Sequence, residues 1–504
     1  MVVVMKKSVF ILAGTLALSI SCTKEIIETQ QTGSVMLNAE AAAPPQTKVA
    51  YSEDAAGNYQ GKWEEGDIIF GFKADGTTFD FVVESVSAES GNASLRQQGT
   101  ATFSAGDEIY AIYMPGKTSA DLSGNSLPVD FSKQAAEELP VLMVATATVT
   151  AGPSVKFSFE NAASIVAVVN PAIPGEASDG KKVVKMTLSG HEIVSAGTVQ
   201  VSGGKLGFVG NAPCNFIEKS VNAPVTASGE GYTLENPVLI VVPAGKVDKL
   251  SVLDNKNGFS EYNIGQSAVA GKYYRIAGKP FTAVSLPQGS SIVAGGVEWS
   301  RWNLGATSPI GAGDLYRWSD TGLIICTKDQ EGNIIWDTNH PSGFVDYVGE
   351  IYCTEAEKYS KYNKVGLVLE PVDDIVQLTY PGTGWRMSRS EEFTALADLK
   401  NNADYTVSLN DNKNVGIKYT RKSGDASVFL RGNHPCSKGG TDTATNLGRY
   451  WTANSTNDKD KAYAAQYFKI TITNKLATGV TGIGIQKRYF GYAIRPVKPV
   501  STEE

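Results

Sequence analysis

Period-two alternation dominates the N-terminal part of the chain. Apolar residues fall at or near every second position in Val35-Met36-Leu37, Asp67-Ile68-Ile69-Phe70-Gly71-Phe72, Thr78-Phe79-Asp80-Phe81-Val82-Val83 and Glu108-Ile109-Tyr110-Ala111-Ile112-Tyr113. Successive side chains of a strand point to opposite faces, so these runs predict strands with one face on a core. Turn residues such as Asp75-Gly76 and Ser104-Ala105-Gly106-Asp107 separate them, and the spacing predicts an antiparallel sandwich over 33–150.

A second block, 151–280, carries runs at Ser164-Ile165-Val166-Ala167-Val168-Val169, at Lys182-Val183-Val184-Lys185-Met186-Thr187-Leu188 and at Val238-Leu239-Ile240-Val241-Val242, with almost no helical periodicity. The unbroken apolar run before Pro243 predicts a central strand buried on both faces. Beyond it the composition changes. Six of the seven tryptophans, Trp299, Trp302, Trp318, Trp336, Trp385 and Trp451, lie in 281–504, and only Trp63 lies earlier. One helical segment is predicted there, around Ser390 to Leu399, behind a capping signal at Ser388 and Glu391. Aromatic richness with a single helix indicates a compact α+β unit, giving three domains at roughly 100–200 residues each.

The N-terminus changes the picture of where the chain works. Lys6 and Lys7 precede an apolar run from Val9 to Ile20 and then Ser21-Cys22, which reads as a signal peptide over 1–21. The run is shorter than the roughly 18–20 residues a membrane-spanning helix needs. Met5 is a second candidate start. A small residue followed by cysteine is what a lipoprotein signal peptidase reads, so Cys22 is the expected lipidation site and 22–32 a polar tether. The usual leucine three residues before the cysteine is Ser19, with Leu18 one position earlier; cleavage leaving a free thiol is the alternative.

A net charge of -7 with three histidines disfavours a nucleic-acid partner. Apart from Cys22, the cysteines are Cys214, Cys326, Cys353 and Cys436; none forms a C-x-x-C pair, which argues against zinc. In an oxidising compartment three pairings are open, and buried free thiols are equally compatible. Nucleophilic catalysis would need an activated Ser or Cys beside a base, yet the histidines are His191, His340 and His434 and no Gly-x-Ser-x-Gly elbow is present. Asp373-Asp374 is the tempting carboxylate pair of the last block, but adjacent residues diverge on a strand or a helix. No enzyme activity, cofactor or metal is expected. Polar loops offer Asp337, Asn339, His340, Asn433, His434 and Asn454 as candidate ligand-binding residues.

The first two blocks resemble the fimbrillin family of Bacteroides-type pilus subunits and their minor, tip-located relatives. The resemblance rests on Thr47-Lys48-Val49-Ala50-Tyr51, Trp63-Glu64-Glu65-Gly66-Asp67-Ile68-Ile69, Phe157-Ser158-Phe159-Glu160-Asn161-Ala162-Ala163-Ser164, Val242-Pro243-Ala244-Gly245 and Ala270-Gly271-Lys272-Tyr273-Tyr274-Arg275-Ile276, in that order. It implies two transthyretin-like β-sandwiches, lipoprotein export and assembly by strand exchange with other fimbrillin subunits. It also implies proteolytic maturation, for which Lys48 is the matching position. The last block resembles the Fibrobacter succinogenes major paralogous domain, a C-type-lectin-like module. Its landmarks are Val297-Glu298-Trp299-Ser300-Arg301-Trp302-Asn303-Leu304-Gly305-Ala306, Gly313-Asp314-Leu315-Tyr316-Arg317-Trp318, Pro371-Val372-Asp373-Asp374-Ile375-Val376, Gly384-Trp385-Arg386-Met387-Ser388-Arg389-Ser390-Glu391-Glu392-Phe393, Gly448-Arg449-Tyr450-Trp451-Thr452-Ala453 and Arg488-Tyr489-Phe490-Gly491-Tyr492-Ala493-Ile494-Arg495-Pro496-Val497.

This second resemblance makes Asp373-Asp374 a helix start, where anions are favoured. Trp385 and Trp451 are expected in the core, with Arg386 and Arg495 pinning loops. The usual lectin Trp-Asn-Asp triplet is absent, which weakens the case for a calcium-dependent sugar site. The fold class also includes an enzyme that makes formylglycine with cysteine chemistry, but Cys326, Cys353 and Cys436 form no close pair. The expectation is therefore a mainly β, surface-exposed outer-membrane lipoprotein of the fimbrium: a minor or tip subunit whose C-terminal head binds an extracellular glycan or protein. The alternative is a standalone surface lipoprotein that binds such a ligand without polymerising.

Overall fold

The computed structural model describes 36–41, 52–53, 59–60 and 63–500, except for 89–90, 138, 151–153, 191–192, 212–215, 230, 307, 312, 317, 320–322, 325, 329–333, 337–361, 363–364, 412–413, 433–447, 457, 459–463, 474–475 and 489–490. The fold is mostly β. Among the described residues no helix is long and apolar enough to cross a membrane.

The alternating runs of the N-terminal part become strands Ile68–Lys73, Thr78–Val86, Ala93–Gln98 and Glu108–Tyr113. Phe79, Phe81 and Val83 point inward as the alternation requires. Instead of two open layers, the sheet closes into a barrel. Met36–Ala41 pairs antiparallel with Ala93–Gln98 and parallel with Val155–Asn161, and the latter continues through Met143–Thr148 to Glu108–Tyr113. The expected sandwich becomes a barrel because this first strand bonds to both free edges. A closed sheet has no unpaired edge to manage.

Trp63 is buried at the centre, edge-on to Tyr113 at 5.1 Å and to Phe159 at 5.4 Å. Pairs of this geometry contribute about 0.5–1.5 kcal/mol beyond their buried area. The turn that follows is held by Asp67, whose carboxylate accepts from Glu64 N at 2.9 Å and from the Tyr113 hydroxyl at 2.9 Å. Gly71 answers a different need. A Cβ there would lie 1.9 Å from the Tyr110 carbonyl oxygen, so only glycine lets the two strands meet at that point.

In the second block Ser164–Val169 is buried along its whole length between Val238–Val242, antiparallel, and Tyr273–Ala277, parallel. The run before Pro243 is thus an edge strand of a three-stranded sheet, not a central one. It stays buried because Val238, Ile240 and Val242 pack with the second sheet, Val241 joins the core of the first barrel, and Gln134 bonds its free edge. That second sheet runs Ile173–Pro174, Gly231–Leu234, Phe216–Ser228, Lys182–Ser189, Gly245–Asp254, Phe259–Ala268 and Thr282–Ala283. A ribbon, Ala196–Ser202 and Lys205–Gly210, leaves this block and pairs with Ser126–Asp130. It places Val199 and Leu206 in the core of the first barrel.

In the last block Val297–Ser300 pairs with Pro496–Pro499, which pairs with Arg386–Met387. Two three-stranded sheets, Tyr405–Asp411 with Asn414–Arg421 and Ser427–Arg431, and Gly448–Ser455 with Ala464–Thr473 and Leu476–Lys487, complete it. Helix Ser390–Asp398 buries Phe393 and Leu396; Phe393 stacks on Phe468 at 4.6 Å and meets Trp299 at 4.9 Å. The helix begins at Ser390 as expected, but its N-cap is Arg389, one residue after the Ser388 of the sequence signal. Glu392, not Glu391, reaches back to Arg389 N at 2.7 Å, because its carboxylate is also clamped by Arg386. Trp299, Trp318, Trp385 and Trp451 are all core residues.

Candidate functional site

The closing strand of the barrel, Met36–Ala41, is the candidate site. Its backbone register runs Leu37 opposite Val155 to Ala41 opposite Phe159 on one side, and Met36 opposite Arg96 to Ala39 opposite Ala93 on the other. On the flanking strands Ala93, Leu95, Val155, Phe157 and Phe159 are buried, so the seam has an apolar floor. The remaining strands stay joined in one sheet without Met36–Ala41, leaving two facing edges. Such edges present rows of backbone donors and acceptors that another strand can satisfy.

At the mouth of the Ile68–Lys73 and Thr78–Val86 hairpin, Lys73 Nζ lies 2.9 Å from Asp107 and 3.3 Å from Asp75. Hydrogen bonding to Asp107 holds the ammonium above its ordinary value, and the Ser104 amide and Lys73 hold Asp107 below the usual carboxylate range. Both turns predicted from sequence are made here. Thr77 N bonds Asp75 Oδ1 at 2.9 Å, and Ser104 N bonds Asp107 Oδ2 at 2.9 Å. Beside them an open cleft of about 400 Å³ lies between Phe72, Tyr110, Asn125, Ser126 and Gln200, where the ribbon meets the barrel.

Of the residues singled out from sequence, Cys22, Lys48, Asp337, Asn339, His340, Asn433 and His434 lie outside the described residues, as do Cys214, Cys353, Cys436 and His191. The backbone of Cys326 begins a strand paired with Ile334–Trp336. Asn454 is described and buried. Its Oδ1 accepts from Ser390 N at 2.8 Å and its Nδ2 reaches Glu391 at 3.4 Å, so it joins the strand Gly448–Ser455 to the start of the helix. Asp373 and Asp374 are likewise occupied. Asp373 accepts from the Tyr362 hydroxyl at 2.6 Å. Asp374 caps helix Ile375–Thr379 through Val376 N at 2.9 Å and Gln377 N at 3.3 Å, and its other oxygen takes Met387 N at 2.9 Å.

Arg386 pairs with Glu392, and Arg495 donates to the Ser300 and Phe429 carbonyls at 3.1 and 2.5 Å. Both pin loops as planar donors do. Among the described residues no group of three or more His, Cys, Asp or Glu side chains is arranged to hold a metal ion. Sequence reasoning missed Gln134. Its side chain joins two blocks, and a single glutamine outside any periodic run carries no signal of such a role.

No protein-family model matches the sequence, and no curated protein matches it. Solved structures that align with it include a candidate cell adhesion protein from Bacteroides ovatus, 14% identical, covering 51% of this chain and 97% of its own, with a TM-score of 0.34. A tip fimbrial protein from Porphyromonas gingivalis, determined with a C-terminal truncation, is 10% identical and covers 50% of this chain and 100% of its own, with a TM-score of 0.24. A fimbrial protein from Bacteroides ovatus is 12% identical and aligns over 93% of this chain and 99% of its own, with a TM-score of 0.25.

Proposed function

We propose that this chain is a minor fimbrial subunit, placed at the pilus tip, that gives up its first strand and accepts a donor strand from a neighbouring pilin. The observation that carries the reading is the position of Met36–Ala41, an N-terminal strand that closes a barrel whose other strands stay paired without it. Because it runs antiparallel to one neighbour and parallel to the other, an incoming strand of either direction finds one partner of each kind. The buried floor of Leu95, Val155, Phe157 and Phe159 selects for alternating apolar residues in that strand.

In this reading Cys22 is acylated and anchors the precursor in the outer membrane, cleavage at Lys48 frees 33–40, and the last block is the adhesive head. Asp337, Asn339, His340, Asn433 and His434 are the proposed contacts to an extracellular glycan or protein. The landmarks around Lys48 and Trp63 support the maturation step.

The test is mass spectrometry of fimbriae purified from the native cell. Recovery of the chain in substoichiometric amount with a mature N-terminus near Val49 supports the tip subunit. Recovery of an intact Gly33-to-Tyr51 junction on a membrane-bound monomer that starts at acylated Cys22 overturns the maturation step. It favours a standalone lipoprotein.

A further inference from the structure

In the second block a lysine and an aspartate meet inside the fold at the ends of two neighbouring strands. Lys181 immediately precedes Lys182–Ser189, and Asp254 ends Gly245–Asp254; the two strands pair with Val183 opposite Asp254. Lys181 Nζ lies 3.1 Å from Asp254 Oδ2, with side-chain exposures of 9% and 0%. Oδ2 also accepts the Tyr232 hydroxyl at 3.0 Å, and Nζ sits 4.1 Å from the centre of the Tyr232 ring. The other oxygen, Oδ1, accepts two backbone amides, Lys256 N at 2.8 Å and Gly258 N at 2.7 Å. A Cβ at Gly258 would lie 2.3 Å from Oδ2, so this loop closes on the carboxylate only with glycine there.

We propose that Lys181 and Asp254 condense into an intramolecular amide that staples these two strands together. The two oxygens of Asp254 stand in the unequal environments the reaction needs. In the first step Nζ passes one proton to Oδ2 across their 3.1 Å contact, which frees the Nζ lone pair. The Nζ lone pair attacks Cγ and the C–N bond forms. The electron pair of the carbonyl moves to Oδ1, where the two amides hold the developing negative charge as an oxyanion hole does. Collapse breaks the Cγ–Oδ2 bond, and Oδ2 leaves as water with its own proton and one from Nζ. Burial holds the Tyr232 hydroxyl protonated, so it remains a hydrogen-bond donor to the departing oxygen throughout. Nothing is oxidised or reduced, and one water is lost.

Peptide mapping of the purified full chain by mass spectrometry tests this directly. The expected result is one branched species joining the Lys181 and Asp254 peptides, lighter than their sum by one water. That species is absent in Lys181→Arg and diminished in Tyr232→Phe. Recovery of the two wild-type peptides separately, each at its sequence mass, overturns the proposal and leaves an ion pair. The wild-type reading decides the question whether or not the variants fold.

Discussion

Gln134 and Val241 exchange two hydrogen bonds: the Gln134 amide donates to the Val241 carbonyl at 2.7 Å, and Val241 N donates to Gln134 Oε1 at 3.1 Å. The side-chain amide thereby imitates a peptide group and continues the ladder of an edge strand where no further strand follows. A buried backbone group without a partner costs about 1–3 kcal/mol. Gln134→Leu is therefore expected to lose about 3 kcal/mol, read as a lower denaturant midpoint at an unchanged slope. In Gln134→Glu the carboxylate cannot donate to the carbonyl, so the introduced group takes a folded-state pKa above its unfolded value. Its penalty should ease as pH falls through that raised value, and an unfolding midpoint that ignores pH would refute the assignment.

Gly71 faces the Tyr110 carbonyl at a distance that no side chain tolerates. Gly71→Ala should cost at least about 4 kcal/mol, in the range kept for strain and overpacking in a core. Gly66→Ala offers the contrast. Its position has a φ of +94° but open space around it, so backbone strain alone should appear there. Equal destabilisation of the two variants in urea would count against the crowding argument.

Asp374 serves two elements at once, the first turn of helix Ile375–Thr379 and the amide of Met387. Asp374→Ala removes a cap and orphans a buried donor, an expected loss of about 2–4 kcal/mol. Asp374→Asn keeps one acceptor and should lose less. Amide exchange at Met387 should accelerate in the alanine variant and only slightly in the asparagine variant.

At the barrel mouth the sign of the pH dependence follows from the two shifts. Asp107 is depressed, so its contribution is present above the unfolded carboxylate value and disappears as pH falls through the lower folded one. Lys73 is raised, so its contribution is present below the unfolded lysine value and disappears as pH rises through the higher folded one. Lys73→Met should flatten both limbs of the Tm against pH curve, and added salt should shrink the difference.

Strand positions were the most legible part of the chain: Thr78–Val86 and Glu108–Tyr113 are both strands, but alternation records the buried face only in the first, through Phe79, Phe81 and Val83, while the second is buried on both faces from Ile109 to Tyr113. Closure was not legible. Nothing in Met36–Ala41 states that both its edges are used, since backbone pairing is indifferent to side chains. The Val238–Val242 run misled for a related reason: burial on both faces is a statement about side chains, while position within a sheet is a statement about backbone partners. The helix starts at Ser390 as expected, but its capping pair is Arg389 and Glu392 and not Ser388 and Glu391, with Glu392 also held by Arg386 from another element. Of the candidate ligand residues, Asn454 has its side chain committed to the helix start, a polar role that a loop composition cannot distinguish from display to solvent.

The ribbon Ala196–Gly210 has a consequence for how the molecule comes apart. Val199 and Leu206 belong to one core while the chain on either side of them belongs to another, and Ser126–Asp130 pairs antiparallel with the Val199 strand. Neither block keeps its interior intact if the other melts. A fragment ending near residue 150 would expose the surface those two side chains cover, so the first two blocks should unfold as one cooperative unit.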